Sequence, residues 1–256
     1  MVHDSRTRVT TQVVRRRRGC HVAREKGGFW VGVAAAIVYP MSAVLGKHRI
    51  INGEGIPGEG SALLVLNHIS HLDPCYDARF VHTNGRVPHF LGKHSLWNVP
   101  IMGAILRGAK QIPVYRGTSD AQQSLREAHK ALEDGMVVVI YPEGTITKDP
   151  DGWPMNSRTG VARLALQHDG PVIPVARWGT VDIYNHYQKR FRPLPRKTVT
   201  HKVGEPIDLS AYKGREESIA LLREVTDLLM NGVKELLAEV REQTAPEGFY
   251  GTSRKS

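Results

Sequence analysis

Six short apolar runs, each of strand length, constrain this chain most. They are Ala62–Leu66, Pro88–Leu91, Gln111–Tyr115, Met136–Tyr141, Val172–Trp178 and the β-rich Thr198–Val203. Helical patterns fall between them, over about 74–83, 98–107, 119–134 and 158–168. A longer amphipathic helix follows over about 215–243, with Ile219, Leu222, Val225, Leu229, Val233, Leu236 and Val240 on one stripe. Strands separated by short helices predict an α/β fold with a mostly parallel sheet flanked by helices. The 256 residues suffice for one large domain with its own core.

Charge and hydropathy mark a separate N-terminal region. Net charge is +10, but residues 1–27 carry eight Arg and Lys against two carboxylates, so the other 229 residues are nearly balanced. Such a basic tail suits an anionic membrane or a nucleic acid. The following segment favours the membrane. GGFWVGVAAAIVYPMSAVLG, residues 27–46, has no formal charge over twenty residues, about the length of one bilayer crossing. It is rich in Ala and Gly and contains Pro40, and a helix buried in a soluble core is the alternative. A signal peptide fits poorly, because a long tail precedes the segment and no convincing small-residue cleavage site follows. The expected organisation is a flexible basic tail over 1–27, a membrane-associated helical anchor over 28–46 broken at Pro40, a main domain over 47–243 and a flexible polar tail over 244–256. Cys20 and Cys75 make no disulfide framework and no CxxC pair.

Three segments carry the chemistry, and one motif is discarded first. Gly53, Gly55 and Gly58 spell the dinucleotide-binding string GxGxxG, but Pro57 interrupts it and a strand follows, so it reads as a turn between strands. In LVLNHISHLDP, a buried strand delivers His68 to its C-terminal end, where open α/β sheets bind ligands. Asp73 before Pro74 reads as a helix cap and first helical residue. The same carboxylate can turn toward His68, fix its tautomer and stabilise the imidazolium. His71 admits a metal cluster with His68 and Asp73, although a loop role is simpler. In VVVIYPEGT, Gly144 allows a tight turn that sets Glu143 at the same sheet edge, where a carboxylate can accept from substrate hydroxyls. Lys93 and Arg116 also follow strands, and two converging cations suit a phosphate.

In this order the segments resemble the PlsC-type phospholipid acyltransferases, the 1-acylglycerol-3-phosphate acyltransferases and their relatives, over roughly residues 30–205. NHISHLDP is similar to that family's NHxxxxD block, which implies His68 and Asp73 as the catalytic dyad. GAKQIPVYRG resembles the second block and implies that Arg116 contacts phosphate. YPEGT resembles the third, FPEGTR, and implies that Glu143, Gly144 and Thr145 help hold the acceptor, with Lys93 a further candidate. Pro171–Val175 resembles the fourth, a strand lining the site. The family usually has Arg after the third block's Thr; here Ile146 stands there, so a phosphate contact is lost or taken over by Lys148 or Arg158.

The resemblance implies transfer of a fatty acyl group from an acyl thioester, acyl-CoA or acyl-carrier protein, to a hydroxyl of a glycerophosphate or lysophospholipid. Lysophosphatidate to phosphatidate is the default. No metal or other cofactor and no covalent enzyme intermediate is expected, and Cys75 reads as a buried structural residue. Expected partners are membrane lipids, the thioester donor and a phosphate-bearing acceptor, with no nucleic acid. A cytosolic donor implies a monotopic anchor on the cytoplasmic face of the membrane. Two other readings remain: a metal-dependent hydrolase built on His68, His71 and Asp73, and a non-enzymatic membrane or nucleic-acid binding protein driven by the basic tail.

Overall fold

The computed structural model describes residues 25–115 and 121–251. The basic tail as far as residue 24, Arg116 and the last five residues lie outside the described residues. In chain order the first elements are α1 (Gly28–Leu45), β1 (Gly46–Ile51), β2 (Ala62–Leu66), α2 (Asp73–Thr83), β3 (Pro88–Lys93), α3 (Pro100–Gly108) and β4 (Ile112–Val114). They continue as α4 (Ala121–Glu133), β5 (Val137–Ile140), α5 (Gly160–Gln167), β6 (Val172–Trp178), α6 (Thr180–Ile183), β7 (Tyr184–Asn185), β8 (Arg190–Phe191), β9 (Lys197–Val203) and α7 (Ile219–Arg241). Seven strands form one sheet in the order β1-β9-β6-β2-β5-β3-β4, parallel except where β9 runs against β6. The short β7–β8 hairpin stands apart from it.

The central strands are apolar on both faces because both faces are covered. Leu63 and Val65 of β2 and Val138 and Ile140 of β5 pack with residues of α4, α5 and α7. Ala62, Leu64, Val137 and Val139 point the other way, toward Phe80 and Val81 of α2. The GxGxxG string forms a short 3₁₀ turn between β1 and β2, as its context suggested. β1 was not read from the sequence, because GKHRII is mostly polar and lies at the sheet edge beside β9. The β7–β8 hairpin was missed for the same reason.

Three expectations are corrected. Ile219 is 87% exposed, because it occupies the first helical position beyond the covered surface; the buried stripe runs through Leu222, Val225, Leu229, Val233 and Leu237. Ser218 caps that helix by accepting from the Leu221 amide at 3.1 Å. The tail expected from residue 244 is docked as far as Tyr250. The Lys234 ammonium donates to the carbonyls of Pro246 and Gly248, and the Asn156 amide donates to the Tyr250 carbonyl. Finally, α1 is not broken at Pro40 but runs through it.

Tertiary bonds explain that continuity. A proline inside a helix removes one backbone donor, but α2 grips the chain on either side. The Tyr76 hydroxyl donates to the Ser42 carbonyl at 3.1 Å, Arg79 to the Ser42 hydroxyl at 3.0 Å, and the Tyr39 hydroxyl pairs with His82 Nδ1 at 2.9 Å. Both ends of α1 are also fixed to the main domain. Glu25 accepts from Arg86 at 3.0 Å and from the Val87 amide at 2.9 Å, and Arg196 donates to the carbonyls of Ala43 and Gly46. The helix itself is apolar, and Ser42 is its one buried residue. By length and composition its 18 residues are enough to cross a membrane.

Candidate active site

His68 lies two residues beyond the last residue of β2, at the C-terminal end of the central strand, with Asn67 between. Its Nδ1 lies 2.8 Å from Asp73 Oδ2. A carboxylate accepts, so Nδ1 carries the hydrogen and Nε2 keeps its lone pair. The imidazole stacks on Tyr141, with ring centroids 4.5 Å apart and planes 12° apart. The His68 side chain is 14% exposed, while Asp73 is fully buried. The dyad therefore presents one basic nitrogen to the outside and hides its carboxylate.

Asp73 opens α2 with Pro74 second, rather than standing before the helix as its cap. Its carboxylate turns back over the preceding loop. Oδ2 accepts from the amides of Ile69 at 2.7 Å and Ser70 at 2.8 Å, and Oδ1 accepts from the Thr180 hydroxyl. Gly179 makes that last contact reachable. Its φ of 104° turns the chain from β6 into α6, and a Cβ there would collide with the Thr198 carbonyl.

Behind the dyad lies a network that the sequence reading missed. Arg177, on β6 and fully buried, donates to Asp73 Oδ2 at 2.6 Å, to Asp77 and to the Asn67 carbonyl. Asp77 also accepts from the Tyr141 hydroxyl and from His201 Nε2 at 2.7 Å; His201 Nδ1 meets His48 Nε2 at 2.9 Å. Burial raises the Asp77 carboxyl, but Arg177 and His201 outweigh it and hold the group below the usual carboxylate range. Burial lowers His201 against the pull of Asp77, and burial with His201 lowers His48 to about 3. Both rings are thus neutral near pH 7, and His201 donates to Asp77 while accepting from His48. The available signal was a lone arginine inside an otherwise apolar central strand.

The expected acceptor contacts divide. Glu143 follows β5 as anticipated, but it does not open toward solvent. One oxygen accepts from the His68 amide at 2.9 Å and the other from the Met155 amide at 3.0 Å. The Thr147 amide closes the same loop on the His68 carbonyl at 2.8 Å. Glu143 therefore braces the backbone of His68 instead of facing a substrate hydroxyl. Gly144 has the expected positive φ, 69°, and the Arg158 side chain packs against it. Thr145 is exposed, and Ile146, in place of the family's Arg, is buried. Lys93 is exposed at the end of β3, two strands from β2. Arg116 lies outside the described residues.

The β7–β8 hairpin packs on both loops of the site. The Ser70 hydroxyl donates to the Tyr184 carbonyl at 2.8 Å, His71 Nε2 meets His186 Nδ1 at 3.0 Å, and the Tyr187 hydroxyl donates to the Ile146 carbonyl at 2.9 Å. His71 is thus engaged away from Asp73, and no group of three metal-ligating side chains occurs among the described residues. Burial pushes the Cys75 thiol up to about 11, which leaves it a poor nucleophile.

Glu143 generates a pH prediction. Burial pushes its carboxyl from 4.5 up to about 8, against the amides of Met155 and His68. Between those values the folded chain holds a proton that the unfolded chain releases. The contribution to stability is therefore complete below about pH 4.5 and is lost as pH rises to about 8, at up to about 1.4 kcal/mol per pH unit. Glu143→Gln removes the titration, so the wild-type melting temperature should fall relative to the variant's between pH 5 and 8. Parallel curves in differential scanning calorimetry would contradict it.

Comparison with known proteins bears on the fold and the family. The acyltransferase family model matches residues 47–178. The chain is similar to the crystal structure of the 1-acyl-sn-glycerophosphate acyltransferase PlsC from Thermotoga maritima, with a TM-score of 0.63 and 25% identity over 81% of this chain and 80% of that one. It is 29% identical to the N-acylphosphatidylethanolamine synthase of Arabidopsis thaliana over 59% of this chain, and spans 56% of that protein. It is 23% identical to the 1-acyl-sn-glycerol-3-phosphate acyltransferase of Bacillus subtilis over 75% of this chain and 88% of the relative. Of the corresponding Limnanthes alba enzyme the chain spans half the length. The family match covers more than half of the chain and includes the dyad loop, the Glu143 turn and the strand bearing Arg177, and on this basis the chain belongs to the PlsC-type acyltransferase family.

Proposed function

We propose that this protein transfers a fatty acyl group from an acyl thioester to a hydroxyl of a glycerophosphate or lysophospholipid, with lysophosphatidate the leading acceptor. The observation that carries the reading is the His68–Asp73 contact, which leaves Nε2 free and reachable. A thioester is already activated, so the remaining task is to deprotonate and position an alcohol. Nε2 takes the hydroxyl proton as oxygen attacks the thioester carbonyl; general-base help of this kind contributes about 10²–10⁴-fold. The proton then passes to the departing thiolate as the tetrahedral adduct collapses. Asp73 holds the ring and stabilises its imidazolium form. Arg116 is the proposed phosphate contact and would bring the hydroxyl within attacking distance. Arg158, beside the Gly144 turn, is a further candidate. No metal or other cofactor is part of this scheme.

The anchor is proposed to lie along one leaflet, on the cytoplasmic side, with the basic tail on anionic head groups. This reading is supported by the bonds at both ends of α1. A helix tied to one domain at Glu25 and again at Gly46 keeps both ends on one side. The helix is about 27 Å long at 1.5 Å per residue, so a crossing would carry its ends to opposite faces.

Three outcomes are expected. His68→Ala should abolish transfer from radiolabelled acyl-CoA in a panel of lysophosphatidate, glycerol 3-phosphate and phosphatidylethanolamine acceptors, at least about 10²-fold, while the fold survives. A folded variant with near-normal turnover would rule the dyad out, and activity lost to a chelator and restored by one metal would favour a metal-dependent reaction. Arg116→Ala should raise the acceptor KM far more than the donor KM; equal changes would make Arg116 structural. Single cysteines placed before and after α1, in a background lacking Cys20 and Cys75, should both be protected from an impermeant label added outside intact cells. Labelling of only one end would overturn the one-leaflet arrangement.

A further inference from the structure

We propose that the β7–β8 hairpin and the turn after it form a second membrane-docking surface, made for an anionic lipid bilayer and set at the rim of the site. Residues 186–197 contain five Lys and Arg and no carboxylate. Lys189, Arg190, Arg192 and Arg196 are exposed. Between them, Phe191 is 56% exposed and Leu194 76%. Large apolar side chains interleaved with cations match the layering of a bilayer surface, where phosphate head groups lie above acyl chains. A nucleic acid would satisfy the cations but offers Leu194 no apolar partner. One nearby carboxylate, Asp182, lines the shallow pocket shared with Arg190, Arg192 and Lys197, and it leaves the cations in excess.

Two sets of contacts fix where this surface lies. Arg196 donates to the carbonyls of Ala43 and Gly46, at the end of α1 where Val44 is exposed. The turn after the hairpin thus meets the C-terminal end of the apolar α1. On its other side, Tyr184 and Tyr187 bond to the loops that carry His68 and Glu143. A bilayer in contact with Phe191 and Leu194 would meet the protein beside the dyad. Docking itself rests on charge and exposure; its use in bringing a lipid acceptor to His68 rests on the acyltransferase reading above.

The test uses the full chain and vesicles of phosphatidylcholine with and without phosphatidylglycerol. Trypsin should cut after Lys189 and Arg190 in solution and with neutral vesicles, and anionic vesicles should protect these bonds. Each basic side chain at an anionic surface strengthens binding about fivefold, so K189Q/R190Q/R192Q should bind anionic vesicles on the order of a hundredfold more weakly. Its binding to neutral vesicles, and its transfer to a short-chain soluble acceptor, should stay at wild-type level. F191S should weaken binding to both kinds of vesicle. Unchanged trypsin cleavage, unchanged vesicle affinity of the triple variant, or a loss confined to nucleic-acid binding would overturn the proposal. A wild-type protein that docks in this way but transfers no acyl group would instead remove the acyltransferase reading and leave the docking surface standing.

Discussion

Asp73 and Asp77 lie one helical turn apart at the start of α2, both fully buried, and a single guanidinium, Arg177, sits between them. Removing one partner from a buried ion pair typically costs 3–5 kcal/mol, because an uncompensated charge is left behind. Here one arginine serves two carboxylates, so its loss would expose both. The geometry follows from the sheet. β6 lies beside β2, and Asn67 and Arg177 exchange side-chain and backbone hydrogen bonds across the two strand ends at 2.9 Å. The strand pairing that carries His68 into the site also delivers the cation that makes its carboxylate partner affordable to bury.

That arrangement has an electrostatic consequence for the proposed chemistry. Two carboxylates and one guanidinium leave the cluster with one net negative charge when His68 is neutral, since His201 and His48 are held neutral. Proton capture at Nε2 brings the whole assembly to zero. A buried environment favours that step, because the new positive charge appears 2.8 Å from an acceptor already fixed in place. Little reorganisation is needed, since Asp73 is held by two amides, a hydroxyl and Arg177, and the His68 backbone by Glu143 and Thr147.

The parts of this site that are close in sequence were legible, and the parts joined by the fold were not. His68 and Asp73 are five residues apart at a strand end, so their meeting could be read from local geometry. Arg177 reaches Asp73 and Asp77 across 104 and 100 residues, and it lies within a run whose periodicity says only buried strand. Glu143 was placed at the correct sheet edge, but which way its carboxylate turns depends on the Met155 amide, twelve residues on. The parallel sheet was legible because its central strands are apolar on both faces. β1 and the hairpin are edge or surface elements, where polar side chains erase the pattern. Pro40 misled for a related reason: a local rule against proline in helices yields when Tyr76, Arg79 and His82 grip the same turn.

The same division bears on how the protein would meet its lipid. Drawing an acyl chain out of a bilayer costs about 0.8 kcal/mol for each CH₂ exposed to water. A soluble site would have to meet that cost at every turnover, so the height of the dyad above the acyl layer matters as much as its chemistry. A single flexible anchor would not set that height. In this fold α1 is fastened to the main domain at both ends and along α2, the turn after the hairpin is fastened to α1, and the hairpin to the dyad loop. If both proposed surfaces dock, two contacts joined rigidly to one site would fix both its depth and its tilt, where one contact alone would leave rotation free. The polar bonds that hold α1 against α2 and the hairpin against the dyad loop therefore link the proposed docking surface to the elements that carry Asp73 and His68.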